Sequence, residues 1–302
     1  MKIFYTLLFL LFTGCILTHS GLSLSYALLG LDLWYEKMIP ALLPFMILSG
    51  IMIRMGLTEY VTTAVYPALR YTFRVSRNVG YAMIMGFLCG FPMGAKTVSD
   101  LYERDLITPR EAEYLLAFCN NIGPVYFVSF VLPLLERRLI FPYILGMYAI
   151  PLLYGLLLRY TAFRDLEYEK TIRRHRFKAG LLAQIDDAIQ SALQSILTLG
   201  GYMILFNLLN LLPHILLGNP PVWTAPLFEI SGGLKLLGKS SPLYALLVLP
   251  FGGLSCIAQT YSCIKKTPVP IGKYVLHKLF LTGITALYYL LWYVSSPASF
   301  LR

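Results

Sequence analysis

The sequence is poor in charge: Asp, Glu, Lys and Arg make up 13% of it, and only 15 residues are acidic. A soluble domain carries about a quarter charged residues, so an ordinary water-facing surface is excluded. No GxxxxGK[ST] loop occurs, so direct ATP drive would need another subunit. HExxH and GxSxG are also missing, which removes common signatures of zinc and serine hydrolases. No enzyme activity and no cofactor are expected. The five cysteines, Cys15, Cys89, Cys119, Cys256 and Cys263, show no CxxC spacing and fall almost wholly in apolar stretches. There a thiol serves as a small packing group.

What the chain has instead is apolar length. Of its 302 residues 57% are hydrophobic, which points to an all-α polytopic membrane protein. Mostly uncharged segments recur at 3–18, 38–56, 112–134, 139–158, 190–212 and 274–294. Each is long enough, or nearly so, to cross a hydrocarbon core of about 30 Å, giving six expected full spans. The opening MKIFYTLLFLLFTGC resembles a signal peptide, and FTGC is loosely like a lipoprotein cleavage box. Phe12 in place of the usual Leu, and the lack of a following soluble domain, favour a retained helix.

The net charge of +10 does not point to nucleic acid, because the basic residues lie between spans rather than along one face. They read as topology signals. Arg159, Arg164, Lys170, Arg173, Arg174, Arg176 and Lys178 crowd one loop, 159–180, which the positive-inside rule places in the cytoplasm. By alternation Lys2, Arg54, Arg70, Arg74, Arg77, Arg104, Arg110 and Arg302 share that side, whereas Lys239, Lys265 and Lys266 fall outside.

Two segments are too interrupted to be plain helices. Residues 78–104 read as two half-helices, NVGYAMIMGFLCG and FPMGAKTVSDLY, meeting at Gly90-Phe91-Pro92. Gly90 suits a helix end and Pro92 the first turn of the next helix. Residues 241–266 repeat this grammar around Phe251-Gly252-Gly253. With the expected topology, one re-entrant hairpin enters from each face, as an inverted repeat requires. The expected organisation is therefore 1–37, an N-terminal helix and interfacial segment; 38–158, a first repeat; the basic loop; and 181–302, a second repeat.

Irregular backbone at membrane depth survives only when buried or lining a cavity, so two further breaks are informative. These are CNNIGP, Cys119 to Pro124, and FEISGG, Phe228 to Gly233. Each polar residue also has a plain structural explanation. Gly86, Gly90 and Gly94 have small-xxx-small packing spacing, Lys96 can snorkel, Asn120 and Asn121 can join helices, and Glu229 can lie at an interface. Their joint occurrence favours a translocation site.

PFMILSGIMIRMG, GFPMGAK, FCNNIGPVYF, FEISGG and FGGLSCIAQ, in that order over roughly residues 30–290, resemble the YlbJ family of sporulation integral membrane proteins. That family lies within the wider nucleoside-recognition (Gate) group, which also includes concentrative nucleoside transporters. The resemblance implies a protein of the outer forespore membrane that moves dipicolinic acid towards the forespore. It also implies that substrate sits between two hairpin tips and two unwound helices. Carried over, the first tip is Gly90, Phe91, Pro92, Met93, Gly94 and Lys96, and the second is Gly252, Gly253, Ser255 and Gln259. The unwound helices are Asn120, Asn121, Gly123 and Pro124, then Glu229, Ser231 and Gly232. One departure is Ile257, where a polar residue or His is expected in many relatives.

The residues themselves favour an anion. A helix starting at Pro92 points its positive end at the midplane, and Lys96 adds a full charge one turn later. A neutral nucleoside would be better served by carboxylates and amides at this tip. A nucleoside carrier and a non-transporting spore-envelope assembly factor are the alternatives. The expected partners are a small dicarboxylate, dipicolinate, and the lipid bilayer. H⁺ or Na⁺ as coupling ion, and a homo-oligomer, are left open.

Overall fold

The computed structural model describes residues 1–135, 140–166 and 180–295, and every regular element in them is helical. Most of the basic loop (167–179) and Arg302 lie outside the described residues. In chain order, α1 (Lys2–Thr18) and α2 (Ser20–Leu33) lead through a π turn at Trp34–Met38 into α3 (Ile39–Arg54). Short helices α4 (Thr58–Thr62) and α5 (Tyr66–Thr72) precede α6 (Arg77–Cys89) and α7 (Met93–Tyr102). Next come α8 (Pro109–Leu116), α9 (Pro124–Tyr126, continued by a π turn to Val131), α10 (Ile140–Ile144) and α11 (Ile150–Tyr160). The second half holds α12 (Leu181–Leu208), α13 (Leu211–Leu217), α14 (Ala225–Phe228) and α15 (Ile230–Leu237). It ends with α16 (Pro242–Val248), α17 (Gly253–Ile264) and α18 (Ile271–Ser295).

Five helical stretches among the described residues are long and apolar enough to cross a membrane: Ser20–Arg54, Phe141–Tyr160, Leu181–Leu217, Pro242–Ile264 and Ile271–Ser295. Three match expected spans at 139–158, 190–212 and 274–294, and the expected span 38–56 is the end of the first. Three expectations come out differently. Residues 20–37, read as an interfacial segment, are helix joined to α3, and Trp34 Nε1 anchors that join by donating to Ile196 O at 2.8 Å. The expected span 112–134 is cut between α8 and α9. Lys2–Thr18 is helical but shorter than the other spans.

The local sequence explains where helices start. Thr108 and Glu111 form a reciprocal capping box in front of α8, with Pro109 in its first turn. Ser76 accepts from Val79 N to cap α6.

Packing then decides what each break does. The halves α6 and α7 lie against one another, so the chain turns back at Gly90, as expected for 78–104. Residues 241–266 behave otherwise. There α16 packs on α18, while α17 packs on α7 and α12. The chain bends at 249–252 and continues, which corrects the expected hairpin. The second fold-back is α14 with α15, where Gly233 is pressed against Pro226 too closely for any side chain.

This moves charges between faces. Lys266 pairs with Glu103 at 3.1 Å, and Lys273 with Glu113 at 2.7 Å. Arg110 pairs with Asp165 at 3.4 Å on the same rim. Lys265 and Lys266 therefore lie on the face of Arg54 and Arg104, not on the opposite one. The correction sharpens the basic bias of that face. Single cysteines at Thr72 and Lys266, in a chain lacking native ones, are expected to react with an impermeant thiol reagent from the same side, and Ser240→Cys from the other. Labelling of Lys266→Cys together with Ser240→Cys would restore a fold-back at 241–266.

Candidate functional site

Each fold-back turn is seated on a helix break. In the first half, Phe91 N donates to Asn121 O at 2.6 Å. Gly90 adopts φ 81°, and a Cβ on Gly123 would stand 2.5 Å from Cys89 O. Only glycines permit this approach. In the second half, Gly253 (φ 80°) sits under the α14–α15 turn, where a Cβ would be 3.0 Å from Phe228 O. The two units touch. Phe91 lies beside Gly252, and Tyr126 OH donates to Ser231 Oγ at 3.0 Å.

Unwinding residues 117–123 frees carbonyls that lipid cannot satisfy, at several kcal/mol each. Protein donors meet them. Asn121 Nδ2 donates to Phe118 O at 2.6 Å, Tyr148 OH to Ile122 O at 2.9 Å, and Lys278 Nζ to Asn120 O at 3.1 Å. The Asn120 side chain is a junction: Nδ2 donates to Thr260 Oγ1 at 2.9 Å and Tyr274 OH at 3.1 Å, and Oδ1 accepts from Ala95 N at 3.3 Å. It ties the break to α7, α17 and α18. In the second half Glu229 does the corresponding work. Its carboxylate accepts from Ser231 N at 3.0 Å, Gly232 N at 2.6 Å and Asn207 Nδ2 at 3.0 Å, capping α15 from a buried position.

A polar cleft of about 810 Å³ opens between α7, α12 and α17. Pro92, Lys96 and Gln259 line it, so the first turn, the second break helix and the cleft are continuous. Its other wall is a polar stripe on α12: Asp187, Gln190, Ser191, Gln194, Ser195 and Thr198. At the mouth stand Arg54, Arg104, Lys265 and Lys266 with Glu103. Cations outnumber acids along the lining. Lys96 is not a free charge, however. Its ammonium pairs with both oxygens of Asp100, at 2.6 and 2.8 Å, and donates to Ser191 Oγ at 2.9 Å. The tip expected to carry no acid has one a single helical turn from the lysine.

The structure thus gathers Gly90, Phe91, Asn120, Asn121 and Gly123 at one junction, and Glu229, Ser231, Gly252 and Gly253 at the other. Met93 and Gly94 are buried in the first turn of α7. Both Gly86 and Gly94 abut Cys119 O, so their spacing serves close packing on the break. Ser255 accepts from Gln259 Nε2 at 2.8 Å, one turn from the second break. Two features escaped the reading of the sequence. One is the α12 stripe, visible as polar residues every three or four positions from Asp187 to Thr198. The other is Lys278, a cation inside the expected span 274–294 and 4% exposed. A charge at such depth is a functional signal by position alone.

Two fold-backs seated on two broken helices, opening to a polar cleft within an apolar bundle, are the build of a transporter-like membrane protein. Residues 36–135 match the family described as nucleoside recognition (Gate). The chain is 28% identical to "Sporulation integral membrane protein YlbJ" of Bacillus subtilis (strain 168), over 335 aligned positions covering 94% of this chain and 81% of that protein. The resemblance read from the motifs is borne out: the chain is similar to YlbJ over most of its length. No solved structure matches it.

The geometry of Asn120 makes it a structural junction. Asn120→Ala removes three interhelical hydrogen bonds; at about 0.6 kcal/mol each, the loss is near 2 kcal/mol. Thermal unfolding in detergent is expected to show a clearly lowered midpoint, with Asn121→Ala, which loses one bond within the break, less affected. Unchanged midpoints for both would mean that water replaces the lost bonds.

Proposed function

We propose that the chain is a membrane carrier, not an enzyme, for a small anionic aromatic dicarboxylate, with dipicolinic acid as the substrate and the outer forespore membrane as the site of action. The observation that carries this reading is the continuous polar cleft with excess positive charge that runs from the basic face to the Pro92 turn. A dicarboxylate needs positive potential and N–H donors. The lining supplies the cations, and α7 directs its N-terminus at the turn. The similarity to a sporulation protein supports the setting.

We read the two halves as an inverted repeat, with units paired differently from the motif-based expectation. The turn Phe91-Pro92 before α7 corresponds to Phe228-Glu229 before α15. The break helix opening at Thr108-Pro109 corresponds to that opening at Ser241-Pro242. Each re-entrant turn would then rest on its own unwound helix, and motion of one unit against the other would expose the site alternately to each face.

A nucleoside-type carrier is the second reading. It is favoured by the match to a nucleoside recognition family and by Asp100, Gln190, Gln194 and Gln259 in the cleft, which suit sugar hydroxyls. Uptake of labelled dipicolinate and of labelled uridine into liposomes holding the purified chain, with and without H⁺ or Na⁺ gradients, decides between them. Dipicolinate uptake is expected. Uridine uptake alone would establish the second reading, and uptake of neither under any gradient would favour an assembly role in the spore envelope.

The Lys96–Asp100 pair yields a finer test. Lys96→Met leaves Asp100 uncompensated in the cleft, so dipicolinate affinity is expected to fall more than tenfold, or about 1.4 kcal/mol. Adding Asp100→Asn removes the stranded charge and is expected to recover most of that loss. If the double variant binds no better than Lys96→Met, the lysine acts on the substrate directly.

A further inference from the structure

Lys278 is held in an unusual way. It lies on α18, one turn beyond Tyr274, and its buried ammonium donates to Asn120 O at 3.1 Å, with the Phe91 ring centroid 5.8 Å away. Among the described residues, no carboxylate lies within ion-pair distance of it. Burying an ammonium with no acid to meet it costs several kcal/mol, so something else compensates. The break supplies it. α8 ends at Leu116, and the chain stays unwound to Gly123, leaving carbonyls at the negative end of a helix dipole. Phe118 O, Asn121 O and Ile122 O are met by neutral donors, whereas Asn120 O is met by a charge. The face of Phe91 adds its own negative potential.

A buried carbonyl just beyond a helix C-terminus, backed by an aromatic face, suits a small monovalent cation. We propose that Lys278 is that cation, tethered to α18, and that it permanently fills a monovalent-cation site formed by the 117–123 break and the Phe91 turn. The ammonium stitches α18 to the first unit and holds the break together without a metal ion at this position. The inference deepens the carrier reading, on which it rests only for its consequence in transport: the ion at this spot is resident and not carried.

The test removes the tether and leaves the site. Thermal unfolding of the full chain in detergent would be followed in choline, sodium and methylammonium chloride at equal ionic strength. The wild type is expected to melt at one temperature in all three. Lys278→Ala is expected to melt lower in choline and to regain about 3 °C or more in methylammonium or sodium, since either ion can enter the vacated space. Lys278→Met fills that space without charge and is expected to stay low in every salt. A Lys278→Met protein as stable as wild type would overturn the proposal, and so would a Lys278→Ala protein indifferent to small cations. Should Lys278→Ala not survive purification, the membrane levels of Lys278→Arg and Lys278→Met decide. Near-normal Arg with depleted Met supports the tethered cation, and equal levels overturn it. No substrate enters any of these measurements, so their failure leaves the carrier reading standing, and a failure of uptake leaves them valid.

Discussion

The molecule is organised by one constraint: at membrane depth every backbone N–H and C=O must find a partner inside the protein. A broken helix violates that rule unless its freed groups are met individually. Here the first break is met by an amide from within it, by a backbone N–H of the neighbouring turn, by a tyrosine and by an ammonium. Those donors come from elements far apart in sequence. The break therefore brings α7, α17 and α18 together, and it accounts for the buried polar residues Asn120, Asn121, Thr260 and Lys278. Glu229 answers the same need at the second turn, with a side chain where the first turn uses backbone.

Charge follows a related logic. Where water reaches, in the cleft, cations and anions face each other in pairs such as Lys96–Asp100 and Lys266–Glu103, and the surplus is spread along the lining. Deeper in the bundle, the buried Lys278 is met by the Asn120 carbonyl and the Phe91 ring. Lys278 is not part of the cleft lining, so its charge is met inside the protein and not in the cleft. The surface pairs contribute little to stability, about 0–1 kcal/mol each, and leave the rim free to rearrange.

The positions of the breaks were legible because glycine, proline and asparagine interrupt apolar sequence there. Their meaning was not. A Gly-rich interruption does not say whether the chain turns back or runs on. Phe251-Gly252-Gly253 and Gly90-Phe91-Pro92 read alike, and they differ only because α16 finds its neighbour in α18 while α6 finds its own in α7. That is a tertiary choice with no local signature. The Lys96–Asp100 pair was legible from its spacing of four residues, but reading the lysine alone hid it. Lys278 was legible too, as a charge in a span, and a topology that placed its neighbours on the wrong face obscured it. The α12 stripe needed only a count of polar positions at helical period.

The helix running from Ser20 to Arg54 has 35 residues, which at about 1.5 Å per residue is a rod of about 52 Å. No ordinary tilt fits that length into a hydrocarbon layer of about 30 Å, so part of it stands clear of the lipid. At one end Tyr26 is hydrogen-bonded to His214 at 2.7 Å, and at the other Arg54 lines the polar cleft. The π turn at Trp34–Met38 and Pro44 inside α3 each interrupt the regular α-helical hydrogen bonding along it, so its two ends are not bound to move as one piece.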